Sequence, residues 1–267
     1  MAGVVLVPTG VGRERILTYG NEGAGKTYGG FCILDKAEGK GWYLDTDDTV
    51  IPYLDGERFS HLQDRLTFEN ALFEFGDALE FVEKAKADAG PDDWLFVDRV
   101  DWAWDAAQEE FSDKVFGVDI DDHLVSHRKA LEDARKNDKS TKAQNPFDGF
   151  ADWPVIKKRH QRFMRTIMRF PGHVYICAGE KKVDEKLDDS NIQRTYGRVG
   201  ARPAGEKNNG YLVRTVLRMQ GNNPQTWRAT TVKDRERDQL DGVGVTDLAM
   251  DYLAKVGHWK MEVKGGE

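Results

Sequence analysis

The sequence predicts an α/β fold: a mostly parallel central sheet flanked by helices and followed by an antiparallel C-terminal extension. Three observations carry that expectation. Short apolar, β-favouring runs alternate with stretches of helical period. Two of those runs end on carboxylates, Asp45 and Asp98. A third, residues 15–19, leads directly into a glycine-rich loop that is followed by a helix-length segment.

Taken in order, residues 15–19 (Arg-Ile-Leu-Thr-Tyr) form the first predicted strand. Residues 28–35 follow as a helix, although Gly29 and Gly30 each cost about 1 kcal/mol in a helix interior. Residues 41–45 are a second strand, and residues 65–68 a further one. Apolar side chains recur near helical period through residues 70–89, which stop before Pro91. The apolar run 94–98 is a strand and residues 102–116 a helix. Residues 117–152 read as a charged insertion, broken by Asn145-Pro146 and Gly149. It is expected to hold a short helical piece at 124–135 and a mobile stretch near 136–150. Residues 153–170 form a helix with a basic face, 173–178 a buried strand, and 180–210 a polar, glycine-containing loop. Residues 211–219 and 227–232 alternate like paired strands joined by the turn Gly221-Asn-Asn-Pro224. A short helix at 246–256 closes the chain, and the last residues are expected to fray. The whole chain, 1–267, reads as one domain.

Composition narrows the function. An apolar share of 39% and a charged share of 32% suit a globular protein with a wet surface. No apolar stretch approaches the roughly 20 residues that span a bilayer, and no secretory signal is evident, so a cytoplasmic protein without membrane partners is expected. Cys32 and Cys177 lie in apolar runs and read as reduced core thiols. Six scattered histidines show no ligand spacing, which argues against zinc. The net charge of −7 is unevenly spread: residues 1–152 carry −15, residues 153–237 carry +11 and residues 238–267 carry −3. Such segregation points to a polyanion-binding face; pairing of these cations with the acidic half is the alternative.

Residues 20–27, Gly-Asn-Glu-Gly-Ala-Gly-Lys-Thr, satisfy every fixed position of a phosphate-binding loop. Glycines let backbone N–H groups curl around phosphates, and the next helix turns its positive end on the same anion. Gly20, Asn21, Glu22, Gly23, Ala24, Gly25, Lys26, Thr27 and Tyr28 are therefore expected to bind ATP. Lys26 can reach the β- and γ-phosphates and the Thr27 hydroxyl can ligate Mg²⁺. Asp98, at the tip of Trp94-Leu-Phe-Val, is the candidate second Mg²⁺ group, with Asp101 as the fallback. Asp45, Asp47 and Asp48 repel one another within four residues, which suggests an ion or a reacting water nearby, although a solvated acidic turn has the same sequence.

The order of these pieces resembles the RecA-like ATPases. More closely, it resembles the compact phage-encoded members associated with single-strand annealing and recombination. The resemblance rests on the loop, on Trp42-Tyr-Leu-Asp-Thr-Asp-Asp48, Leu95-Phe-Val-Asp98, Val174-Tyr-Ile-Cys-Ala178 and Thr230-Thr-Val-Lys-Asp-Arg235, spread over residues 13–237. It implies a catalytic carboxylate at Asp47, where the family carries Glu. A polar sensor is implied near Ala178-Gly179-Glu180, where the usual amide or imidazole is missing. Lys233 and Arg235 match basic residues that reach a neighbour's nucleotide, which implies a ring or filament. A bacterial host cytoplasm and phage recombination or replication proteins as partners follow from the same resemblance.

DNA contacts are expected on two segments. Lys158, Arg162, Arg165 and Arg169 fall on one helix face, a stripe suited to phosphates. In the loop 180–210, Arg194, Arg198 and Arg202 stand near an aromatic, a mixture suited to single strands. The reading is an ATP-hydrolysing, single-strand DNA-binding protein of recombination, annealing or replication. A helicase or packaging motor, and a nucleotide-switched binding module with little turnover, are the alternatives.

Overall fold

A computed structural model of the chain describes residues 4–9, 12–69, 74–138, 146–184, 186, 188–234, 240–257 and 259–263. Its first half runs β1 (Val4–Pro8), β2 (Arg15–Gly20), α1 (Lys26–Lys36), β3 (Gly41–Asp45), α2 (Val50–Leu54), β4 (Leu66–Glu69), α3 (Phe75–Asp88), β5 (Trp94–Asp98), α4 (Val100–Phe116) and α5 (Ile120–Asn137). Next come α6 (Asp152–Met168), β6 (His173–Ala178), β7 (Glu180–Lys182), α7 (Ser190–Tyr196), β8 (Ala201–Pro203) and α8 (Asn209–Leu212). The chain ends with β9 (Thr215–Gln220), β10 (Arg228–Lys233), β11 (Val243–Gly244), a π-helical turn at Ala249–Ala254, and β12 (Trp259–Val263).

Eight strands form the central sheet in the order β11-β10-β9-β2-β6-β5-β3-β4. From β9 to β4 all neighbours are parallel. β10 and β11 add antiparallel strands at one edge. This is the expected α/β class, a mostly parallel sheet flanked by helices with an antiparallel C-terminal extension. Apolar runs without alternation explain the parallel core, since every residue of β3, β5 and β6 is buried.

Helices cover both faces. On one, α1 packs Phe31 and Leu34 with Tyr43, Phe96 and Tyr175 of the sheet. Gly29 and Gly30 are what permit this approach. A Cβ at 29 would lie 3.0 Å from Leu248 and 3.1 Å from the Tyr175 hydroxyl, and one at 30 would lie 3.2 Å from Phe96. Close packing therefore offsets their poor helix propensity. On the other face, α3, α4 and α6 bury Phe81, Ala103, Phe163 and Ile167 against Leu95 and Val174.

Three sequence expectations change. The segment 180–210 is not a plain loop: β7 and β8 pair antiparallel and α7 lies between them, with Asp189 accepting from the N–H groups of Asn191 and Ile192 as its cap. In the insertion, the helical piece is longer than expected and spans 120–137, while residues 139–145 lie outside the described residues. At the C-terminus, β12 pairs with β1 along Val4–Pro8, so residues 259–263 are ordered into a strand, while residues 264–267 lie outside the described residues. Its anchor is Trp259, whose indole N–H donates to the buried Glu14 carboxylate at 3.0 Å and whose ring meets those of Trp94 and His173.

His173 accepts from the Glu14 N–H through Nδ1 at 3.1 Å. Burial holds its imidazole down at about 4, with Glu14 opposing and Arg15 adding to the shift. The unfolded chain binds that proton near pH 6.5 and the folded chain does not, so stability falls as pH drops from about 6.5 towards 4. In His173→Asn the side-chain oxygen can still accept from Glu14. Urea unfolding should show this variant losing about 2 kcal/mol less than the wild type between pH 7 and pH 4.5.

Candidate nucleotide-binding site

The site lies at the carboxyl ends of β2, β3, β5 and β6, where a cavity of about 630 Å³ opens. Gly20, Asn21, Glu22, Gly23, Lys26, Thr27, Asp47, Asp98 and Arg99 are among its lining residues. Residues 20–25 form the loop. Gly20 is required by the neighbouring strand, because a Cβ there would sit 1.9 Å from the Met219 carbonyl oxygen. Gly23 and Gly25 take φ of +74° and +81°, a region that side chains with a Cβ disfavour. Ala24 is buried, and Glu22 is exposed.

Helix α1 then starts at Lys26 with no side-chain cap and no acidic residue in its first turn. Its leading N–H groups and positive dipole end are left for an anion. The Lys26 ammonium donates to the Gly20 and Asn21 carbonyls at 3.0 and 2.9 Å, folded over the loop it would share with phosphate. The Thr27 hydroxyl donates to Asp98 Oδ2 at 2.5 Å, and the Tyr43 hydroxyl donates to the same oxygen at 3.0 Å. Asp98 is buried. Burial pushes its carboxyl up from the ordinary range, while the Thr27 and Tyr43 hydroxyls work in the opposite direction. A hydroxyl and a buried carboxylate held together beside an uncapped helix N-terminus are a donor set that fits Mg²⁺ with a phosphate chain.

The acidic cluster separates into three roles. Asp45 sits opposite Asp98 in the sheet register and is buried. It accepts from the Val50 N–H at 2.9 Å, the Asp47 N–H at 3.2 Å and the Thr49 hydroxyl at 3.3 Å, so it shapes the turn into α2. Asp48 is exposed with φ of +53°. Asp47 alone of the three lines the cavity. The fallback Asp101 pairs with Arg99 at 2.6 Å and accepts from the Gly179 N–H at 3.1 Å.

The other described basic candidates do not line the cavity. Lys233 donates to the carbonyls of Gly210, Tyr211 and Val213 of its own chain, and Arg235 lies outside the described residues. Lys158, Arg162, Arg165 and Arg169 stand exposed along the outer face of α6, with Arg162 3.2 Å from Glu83. Arg194 and Arg198 are exposed on and after α7. Arg202 is not on that surface: its side chain is 6% exposed and pairs with Asp188 at 3.2 Å. Burial pushes the Asp188 carboxyl up, but the Asp184 N–H, Arg202 and Lys207 outweigh it and hold the group low.

Sequence reasoning missed Trp227. Its indole N–H donates to the Gly23 carbonyl at 2.7 Å, its ring lies 5.0 Å from that of Tyr28, and Arg58 covers the Tyr28 ring at 4.8 Å. No local signal links a tryptophan to a loop 204 residues upstream. A Cβ at position 25 would lie 2.8 Å from this indole. Gly25→Ala therefore meets both the backbone preference and the ring, and calorimetry should show ADP binding weakened at least tenfold, in line with a cost of about 1–2 kcal/mol for a left-handed alanine alone.

Among curated proteins none matches this chain. Among solved structures, the RadB recombinase is similar with a TM-score of 0.48 and 11% identity, over 86% of this chain and 84% of that one. A prototypical ATPase from the type III secretion system of pathogenic bacteria is similar with a TM-score of 0.39 and 10% identity, over 78% of this chain and 52% of that one. The model of the AAA domain family matches residues 13–233, from β2 through β10 and so across the whole cavity. The chain belongs to the AAA domain family of P-loop ATPases.

Proposed function

We propose that the protein is a Mg²⁺-dependent ATPase that binds single-stranded DNA and serves recombination, annealing or replication in a phage-infected bacterium. The observation that carries the ATPase reading is the 2.5 Å bond between Thr27 and Asp98 beside the uncapped start of α1. It joins a loop suited to phosphate to a carboxylate suited to metal.

In this reading the first N–H groups of α1 and the Lys26 ammonium bind the β- and γ-phosphates, Lys26 giving up its bonds to the Gly20 and Asn21 carbonyls. Thr27 and Asp98 would hold Mg²⁺, which would supply positive charge to the phosphate oxygens. Asp47 accepts a hydrogen bond from the attacking water and orients it toward the γ-phosphorus. Water oxygen bonds to phosphorus as the bond to the β,γ-bridging oxygen breaks, giving ADP and phosphate and releasing a proton to solvent.

The DNA part rests on the exposed stripe Lys158, Arg162, Arg165 and Arg169 and on the exposed Arg194 and Arg198. Phosphate contacts of this kind are sequence-independent and salt-sensitive. Self-association into a ring or filament completes the proposal, with Arg235 as the group that reaches a neighbour's nucleotide. Lys233, held by three carbonyls of its own chain, serves to brace the α8 turn.

Measuring ATP turnover with and without single-stranded DNA tests the reading. Turnover should rise with DNA at low salt and disappear in Lys26→Ala. Replacing Lys158, Arg165 and Arg169 together by alanine should weaken DNA binding at least tenfold and flatten its salt dependence. Absence of both DNA binding and stimulation at low salt would contradict the DNA part of the proposal.

A further inference from the structure

Arg99 follows the metal-site carboxylate directly and lines the nucleotide cavity, yet the mechanism above gives it no task. Its guanidinium is held firmly on one side. Nη2 donates to Asp101 Oδ2 at 2.6 Å, with Nε 3.4 Å from Oδ1 of the same carboxylate. Asp101 is itself fixed, with a side chain 8% exposed and a hydrogen bond from the Gly179 N–H at 3.1 Å. On its other side the guanidinium is held weakly, Nη1 lying 3.5 Å from Asp47 Oδ2. The Asp101 pairing keeps Arg99 fully charged.

The tip of β6 explains the placement. Gly179 stands where a polar side chain at the end of that strand would enter the cavity. A Cβ on it would lie 3.0 Å from Asp101 Oδ2 and 3.3 Å from Arg99 Nη2. The place of a side chain at 179 is thus filled by the Arg99–Asp101 pair. A planar guanidinium with two nitrogens anchored and one loosely engaged is preorganised to take a phosphate oxygen at little entropic cost.

We propose that Arg99 is the γ-phosphate sensor of this protein, an arginine acting within its own chain. Resting on the ATPase reading above, the proposal assigns one exchange to triphosphate binding. Nη1 leaves Asp47 for an oxygen of the γ-phosphate, while Asp101 keeps its hold on Nη2. Asp47, released, accepts a hydrogen bond from the attacking water. One movement thereby reports the third phosphate and frees the group that orients the nucleophile. ADP has no oxygen at that position and leaves Arg99 on Asp47.

Arg99→Ala and Arg99→Lys test this, with thermal melting to establish that each variant is folded. Arg99→Ala should lower kcat by about 10²–10³-fold, the scale of losing one preorganised donor to transition-state charge. ADP affinity should stay within twofold, while the preference of the wild type for a non-hydrolysable triphosphate over ADP is lost. Free guanidinium ion should restore part of the turnover of Arg99→Ala, an effect that a purely structural role would not give. Arg99→Lys, a point charge without the fixed planar fork of the guanidinium, should lose at least tenfold in kcat.

A folded Arg99→Ala or Arg99→Lys with turnover within threefold of the wild type overturns the proposal. So does an equal loss of ADP and triphosphate affinity without guanidinium rescue. Failure of the ATPase reading looks different: the wild type would bind the triphosphate without hydrolysing it. The binding preference would still decide the role of Arg99 in that case.

Discussion

The bond from the Thr27 hydroxyl to Asp98 ties the start of α1 to the tip of β5 across the intervening strand β6. Much of the site is arranged around it. It sets the depth at which the loop meets the sheet, and the Tyr43 hydroxyl, on the same oxygen, brings in β3. The Tyr175 hydroxyl adds β6 by donating to the Lys26 carbonyl at 2.8 Å. Three elements therefore meet at one buried carboxylate, and β6 braces the start of α1 beside it. Such a group is costly to bury and is stabilised only when its partners are all in place.

The same convergence explains why the glycines are where they are. Each opens room for a specific neighbour: Gly20 for the Met219 carbonyl, Gly25 for the Trp227 ring, Gly29 and Gly30 for Tyr175, Leu248 and Phe96, and Gly179 for the Arg99–Asp101 pair. The loop is gripped from outside as well. Asn21 donates to the Gly221 carbonyl at 3.1 Å and Trp227 to the Gly23 carbonyl, both on the β9–β10 hairpin. The antiparallel extension thus buttresses the phosphate loop, which gives a physical reason for it to lie at that edge of the sheet.

Much of this was legible in the sequence because the signals are local. Buried parallel strands read as unbroken apolar runs ending in carboxylates, and the phosphate loop is a contiguous pattern with a chemical reason at each fixed position. What escaped detection depends on contacts between distant residues. The segment 180–210 reads as a loop because it is polar and contains glycines, yet Arg202 is buried on Asp188 and the neighbouring Arg218 is paired with Glu180 at 2.8 Å. Asp45 looked like one of three equivalent carboxylates until its bonds to the backbone of α2 separated it from Asp47. Arg99 stood beside Asp98 in plain view, but only the fold shows it filling the space at Gly179.

In the proposed function, Thr27 and Asp98 would form a metal site coupled to nucleotide in the loop. Calorimetric titration of ADP in Mg²⁺ and in EDTA, for the wild type and Asp98→Asn, tests it most directly. Mg²⁺ should tighten ADP binding at least tenfold in the wild type and have no such effect in the folded Asp98→Asn variant. Equal tightening in both proteins would contradict it.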